Sequence, residues 1–566
     1  MNALDYLVLI GTLLGIAAYG IWQTRGRRDL GQYLKGSGKS GWIVIGISVM
    51  ATQASAVTFL STPGQGYQDG LGFVQNYFGA PIALIIIAAF FLPIYRRLNV
   101  YTAYEFLGKR FDSKTRLLGA ALFLFQRGIG AGITIYAPAI VLSSVFGWSL
   151  DLTIILSGLL VIIYTVAGGS DAVTLTQKYQ MAVILAGMVI AFFILLWKMP
   201  AGLSFTDCLT VAGAMHKLKA VDFSPSLTQR YTFWSGTLGA TFLMLSYFGT
   251  DQSQVQRYIS GSSLRESRLG LMFNAVCKIP MQFFILLLGV MLFVFYQFQP
   301  QPVVFNQFAW KSQQQISPLQ KQFDDGHARK EQFIRDWLDA RHKGDSLATK
   351  AARDGIFVES AHAAALHAQA VAIADPKTKR GNENDYVFIT FILNYLPHGL
   401  IGLLVTVFFA AALSSKAAEL NALASATTVD IYRHIIDPGA TDAHYTTVSK
   451  IFIIFWGFVA ISFALFTNMV ENLIQAANIV ASIFYGVVLG LFLVGFFLKW
   501  IRGTAVFCAA IISQALVIFL YYRLDISYLW YNLIGPAACV LLAILLQLVI
   551  GPPAEERAFP VIFPPK

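Results

Sequence analysis

Charge is what this 566-residue chain has least of: Asp, Glu, Lys and Arg make up 13% of it, against 56% hydrophobic residues. That is about half of what an ordinary soluble domain carries, too little to clothe a water-facing surface of this size. Cysteine is scarcer still. Cys208, Cys277, Cys508 and Cys539 stand far apart without CxxC or CxxxC spacing, which excludes a disulfide framework or a cysteine zinc site and leaves them packing roles. The sequence also lacks a P-loop, a Gly-x-Ser-x-Gly elbow and a His-Glu-x-x-His helix. No reaction chemistry is signalled, and the chain is not expected to be an enzyme.

What is present is apolar stretches long enough to cross a hydrocarbon core as helix, a length of about 20 residues. Thirteen spans are predicted, at residues 3–22, 42–62, 74–95, 117–146, 150–167, 176–197, 234–248, 269–298, 387–430, 451–466, 472–498, 503–521 and 527–550. The leading segment MNALD has no basic region and no small-residue cleavage site follows, so the first span is expected to be retained rather than removed as a signal peptide. The formal net charge of +11 invites a nucleic-acid reading. The placement of the basic residues answers it: 21 fall in alternate loops and the tail, but only 5 in the short loops of the opposite side. This is the positive-inside asymmetry, which predicts a multi-pass cell-membrane protein, the inner membrane in a bacterium, with its N-terminus outside and C-terminus cytoplasmic. Lipid, not nucleic acid, is the expected surroundings.

Residues 299–386 break the pattern, being polar and carrying 12 further Lys and Arg. They are read as an extracytoplasmic helical insertion between spans 1–8 (residues 1–298) and spans 9–13 (residues 387–550), with 551–566 a short cytoplasmic tail. The histidines of the insertion are expected to be solvated rather than metal-binding.

Three basic residues remain inside predicted spans: Arg127, Lys278 and Lys416. An intramembrane charge costs about 2.5–3.5 kcal/mol on insertion scales, so it faces a bundle interior or a watery cavity. Lys416 and Glu419 stand at i, i+3, which allows a local pair. Arg127 has Phe123, Leu124, Gly130 and Ala131 at the helical neighbour positions, so its partner comes from elsewhere: an acid such as Asp251 or Glu419, or a solute carboxylate. Polar, small-residue stretches such as SVMATQASAVTFLSTPGQGYQDG suggest an interrupted helix, and its breakers Thr62-Pro63-Gly64-Gln65-Gly66 place the interruption just after the polar run.

GQGYQDGLG, IYAPAI, YTVAGGSDAVTLTQKYQ, TDQSQVQRY and AALSSKAAELNALASATTVDIY together resemble the sodium/solute symporters, the family of the sodium/glucose, iodide, vitamin, monocarboxylate and sialic acid transporters. The resemblance implies an all-α membrane protein with a LeuT-type core of two inverted five-helix repeats: spans two to six, residues 42–197, and spans seven to eleven, beginning near 234. It implies a sodium ion held by the Ser414 and Ser415 hydroxyls and the carbonyls of Ala411, Ala51 and Ala54. Such an all-oxygen shell without a carboxylate suits a hard cation that must be released. Where relatives with a second sodium have an acid and two hydroxyls, this chain has Gln177, Ala417 and Ala418, so a second ion is not expected.

The solute is expected where the broken second span meets spans three, four, seven, eight and eleven, at Thr58, Asn76, Tyr77, Arg127, Asp251, Lys278, Gln475 and Asn478. The sugar-binding pattern of the glucose-type branch is poorly kept, with Tyr77, Ser253 and Asp251 at altered positions and Lys278 matching. IYAPAI and QSQVQRY look closer to the anion-transporting branch. The expected function is sodium-coupled import of a small solute by alternating access, with the chain working as a monomer and the solute leaning to a sugar acid or other carboxylate. A neutral sugar, a proton-coupled or sodium-independent carrier using Lys416 or Lys178, and a transporter-like sensor are the alternatives. No cytoplasmic loop is long enough for the sensor's signalling domain.

Overall fold

The computed structural model describes residues 1–24, 41–98, 100–259, 261–306, 313–373, 382–466 and 471–551. Its α-helices, in chain order, are α1 (Ala3–Thr24), α2 (Trp42–Gln53), α3 (Ala56–Asp69), α4 (Ala80–Ile86), α5 (Leu92–Leu98), α6 (Ala103–Arg110), α7 (Ser113–Thr134), α8 (Tyr136–Phe146), α9 (Leu150–Trp197), α10 (Phe205–Ala214), α11 (Ala240–Gly249), α12 (Gln252–Ile259), α13 (Leu264–Phe298), α14 (Gln313–Lys343), α15 (Ser346–Ile373), α16 (Asn384–Tyr395), α17 (Leu400–Ala426), α18 (Asp442–Phe466), α19 (Leu473–Phe497), α20 (Gly503–Arg523) and α21 (Tyr528–Ile550). A π turn at Ile87–Phe91 joins α4 to α5, another at Ser235–Gly239 leads into α11, and a third at Thr427–Ile436 extends α17.

Ten described helical stretches are long and apolar enough to cross a membrane, one of them α15 of the insertion, with three shorter apolar ones beside them. They do not reproduce the thirteen expected spans one for one. Two helices stop in mid-bundle. The expected second span is interrupted between α2 and α3 at Ala54-Ser55, and just past the end of the expected seventh, 234–248, the chain breaks between α11 and α12 at Thr250-Asp251. The expected ninth span is two helices, because Pro397 and Gly399, the latter at φ +87°, turn the chain between α16 and α17. The expected fifth and sixth spans form a single helical run of 48 residues, α9. At 1.5 Å per residue it measures about 72 Å along its axis, over twice a hydrocarbon core.

The breakers Thr62 to Gly66 do not break their helix, because α3 runs through Pro63 to Asp69. Their role is close approach. A Cβ on Gly64 would stand 1.9 Å from the Asn384 carbonyl oxygen, one on Gly66 2.4 Å from that of Leu286, and one on Gly289 2.0 Å from that of Pro63. Glycine here lets α3 seat against α13 and α16 with backbones nearly touching, the mode of association that lipid surroundings favour.

The insertion folds as a hairpin of α14 and α15 with a small core of its own around Phe323, Leu366 and Ala370. It rests on the same face as the loop 198–234. His342 meets Asp207 at 3.0 Å, His327 bonds the Tyr296 carbonyl at 2.8 Å and His367 that of Val303 at 2.8 Å, while His362 lies 3.7 Å from Glu359. Each histidine therefore has a different protein partner.

Overpacking a helix contact costs about 1–3 kcal/mol. Gly289→Ala, whose Cβ meets backbone, is expected to lower the melting temperature of the detergent-solubilised protein by several degrees. Gly11→Ala, whose Cβ meets nothing within 4 Å, is expected to leave it unchanged.

Candidate functional site

The two interruptions are finished differently. At the α11 break the last turn leaves carbonyls without helical donors, and tyrosine hydroxyls cover them: Tyr258 donates to Phe248 O at 2.9 Å, Tyr95 to Gly249 O at 2.7 Å and Tyr104 to Thr250 O at 3.0 Å. Asp251 then starts α12 by accepting the Ser253 N–H at 2.8 Å, as an N-cap does. At the α2 break the final helical bond is Ala54 N–H to Met50 O, and the Thr58 N–H turns to Ser55 O. Among the described residues, nothing donates to the Ala51 or Ala54 carbonyl.

Facing this break is α17. Ser414 and Ser415 are buried, with hydroxyls 3.1 Å from Ala411 O and Ala412 O respectively. Ser414 also donates to Gln180 at 2.8 Å, while Ser48 of α2 donates to Gln177 at 3.0 Å. Three residues apart on α9, the two glutamines bring α2 and α17 to neighbouring positions. Ala417 and Ala418 pack against Tyr164 in an apolar cluster.

Between the breaks lies a cavity of about 110 Å³. Of the residues expected around a solute, Thr58, Asn76, Tyr77, Arg127 and Asn478 line it. Three do not. Gln475 is drawn away by Arg230, which donates to it at 3.1 Å and pairs with Glu471. Lys278 sits behind the wall, its ammonium 5.0 Å from the Tyr77 ring centre and without a hydrogen-bond partner among the described residues. Asp251 lies one layer below, held by Arg127. The cavity adds residues that the sequence analysis left out, among them Gln53, Gln126, Tyr247 and Tyr485. Polar side chains within predicted spans were their only signal.

Arg127 is paired within the protein. Its Nη2 donates to Asp251 Oδ2 at 2.5 Å and to Ser253 Oγ at 2.8 Å, and its Nη1 lies 3.5 Å from Glu419 Oε1. Glu419 in turn accepts from Lys416 at 2.5 Å, and Lys416 also reaches the Thr134 hydroxyl. Tyr485 of α19 completes the set by donating to Asp251 at 2.6 Å. The result is an alternating line of four buried charges, Asp251, Arg127, Glu419 and Lys416, that ties α7, α12, α17 and α19 together. Both acids named from the sequence as partners for Arg127 are used, and the local Lys416–Glu419 pair is formed.

Comparison with known proteins agrees with this architecture. The sodium/sialic acid symporter SiaT of Proteus mirabilis is 27% identical over 551 residues, 95% of this chain and 93% of that protein. The human sodium/iodide cotransporter is 31% identical over 300 residues and human sodium-coupled monocarboxylate transporter 1 is 35% identical over 275. The chain spans about half the length of these two, 46% and 45%. The solved substrate-bound outward-open state of a Na+-coupled sialic acid symporter superposes with a TM-score of 0.74 at 24% identity, covering 97% of this chain and 99% of that one, which shows the LeuT-type fold. The model "Sodium:solute symporter family" matches residues 33–310 and 354–512, and the chain belongs to that family.

Proposed function

We propose that the protein imports a small carboxylate, a sugar acid or monocarboxylate, together with one sodium ion by alternating access across the cell membrane, its N-terminus and hairpin outside. The observation that carries the sodium part is the asymmetry of the two breaks. Buried carbonyls without donors cost several kcal/mol in a membrane interior. The α11 break removes that cost with three tyrosines, whereas the α2 break leaves Ala51 and Ala54 without donors in a helix that packs against α17, the helix of Ser414, Ser415 and Ala411. A desolvated sodium ion satisfies these oxygens and is released when the helices part. Binding of ion and solute at adjoining positions makes their affinities reciprocally coupled.

For the carboxylate, the support is that relatives of the chain carry sialic acid and monocarboxylates, and that Arg127 stands in the cavity wall. A guanidinium holds a carboxylate through two parallel bonds, so Asp251 or Glu419 would yield one face of Arg127 to the solute. A neutral sugar is the second reading, favoured by the fact that two protein acids already balance Arg127.

Ser414→Ala and Ser415→Ala are each expected to abolish sodium stimulation of uptake in proteoliposomes while the protein keeps its elution profile and melting temperature. Sodium-dependent uptake in the double variant would refute the ion site. Radiolabelled sodium and solute should enter in a ratio of one, since Gln177, Ala417 and Ala418 offer no second shell, and a ratio of two would overturn that. Arg127→Lys keeps the charge and loses the fork, so it should weaken a carboxylate solute by about 10-fold while sparing its neutral amide. Equal transport of both would make Arg127 structural and favour the neutral solute.

A further inference from the structure

A second cavity, of about 240 Å³, lies where the hairpin meets the transport bundle. Its walls come from three places: α14 and α15 of the hairpin, the end of α10, and α13. Four basic side chains line it, His216, Lys217, Lys330 and Arg353, and no acid does. Its other surface is apolar and largely aromatic, with Phe293, Trp337 and Phe357 beside Ile334 and Ile356.

Lys330 and Arg353 are not used up by the protein, whereas Lys217 bonds Gln68 O and has Asp69 nearby. The acids of the hairpin nearest in sequence pair elsewhere: Glu359 takes Arg329 at 2.7 Å and Glu331 takes Arg335 at 2.7 Å. Lys330 makes no hydrogen bond or ion pair among the described residues, and burial, with the nearby Lys217, holds its ammonium down at about 8. Arg353 lies over the Phe357 ring at 5.5 Å and Lys217 over that of Phe293 at 4.5 Å. His216 is the only described non-glycine residue at positive φ, +59°. It stands just past the end of α10, where the Lys217 N–H returns to Ala212 O at 2.9 Å. Glycine is the cheap residue for that left-handed position, and keeping an imidazole there instead puts a fourth basic group at the pocket.

We propose that this pocket is a second ligand site, which binds a small organic anion with a flat apolar body, an aromatic carboxylate in the first instance. The carboxylate is met by Lys330 and Arg353, and the ring lies on the aromatic wall. The proposal stands apart from the solute reading above, since none of the residues lining the central cavity lines this one. Residues 311–353, which supply Lys330 and Trp337, fall in the gap between the two stretches matched to the family. The pocket is nonetheless mechanically joined to the bundle. Lys217 donates through its ammonium to Gln68 O, and its own carbonyl accepts from Leu71 at 2.9 Å. A Cβ on Gly70, which turns at φ +74°, would meet that carbonyl. An occupant that draws Lys217 inward thereby pulls on the end of α3, whose other end carries Thr58, about 16 Å away along the helix.

The test is binding of radiolabelled benzoate to the purified full-length protein in detergent. Saturable binding is expected, with excess unlabelled benzamide, the neutral isostere, failing to compete. Lys330→Gln and Arg353→Gln should each weaken it about 10-fold, the loss of one charge-assisted bond, and Lys330→Arg should restore it. Melting temperatures without benzoate, unchanged in the variants, show that they are folded. Absence of saturable binding, competition by benzamide as strong as by benzoate, or binding that survives Lys330→Gln and Arg353→Gln but falls with Asn76→Ala in the central cavity would each overturn the proposal.

Discussion

A backbone hydrogen-bond ladder that ends inside a hydrocarbon slab has to be completed by something other than water, and this protein ends two of them there. The interior follows from how each is completed. After α11, the freed carbonyls are taken by Tyr95, Tyr104 and Tyr258, side chains that arrive from α5, α6 and α12. That end is closed by the protein itself and is bound to the helices around it. After α2, the carbonyls of Ala51 and Ala54 receive no donor among the described residues, and α2 packs against α17. One break is thus closed by the protein and the other is not, and the cavity lies between them.

Asp251 links the two halves of this arrangement. One carboxylate caps α12, takes the Arg127 guanidinium and accepts the Tyr485 hydroxyl, so the start of α12 cannot shift without disturbing α7 and α19. Through Arg127 the same line continues to Glu419 and Lys416, within two turns of Ser414 on α17. A displacement of α17 near Ser414 is therefore felt at the start of α12 through side chains in direct contact.

Most of the fold was legible in the sequence because the membrane imposes so coarse a rule on it. Apolar length located the membrane-crossing regions but not their number or ends, and the three residual cations are all buried. The Lys416–Glu419 pair was readable because both partners lie on one helix turn. What escaped depended on neighbours far away in sequence. Pro63 and Gly64 look like breakers, but their backbone is pressed against Asn384 and Gly289, contacts that no local pattern announces. Gln475 shared a helical face with Asn478, yet Arg230, from a loop more than 240 residues earlier, claims it. The partner of Arg127 was left open between a solute carboxylate and an acid such as Asp251 or Glu419, since choosing required the positions of α12 and α17. The long helical run of α9 escaped because the stretch between the expected spans 150–167 and 176–197 is too polar to count as apolar length.

The line Asp251, Arg127, Glu419, Lys416 holds as many acids as bases. Carrying an elementary charge through a potential of 100 mV involves about 2.3 kcal/mol, which is comparable to the differences that set a transporter's conformational populations. A row whose formal charges sum to zero does little electrical work when it tilts as a body. In the proposed transport cycle, voltage then acts through charges outside this row, the buried Lys278 and the net charge of ion and solute among them.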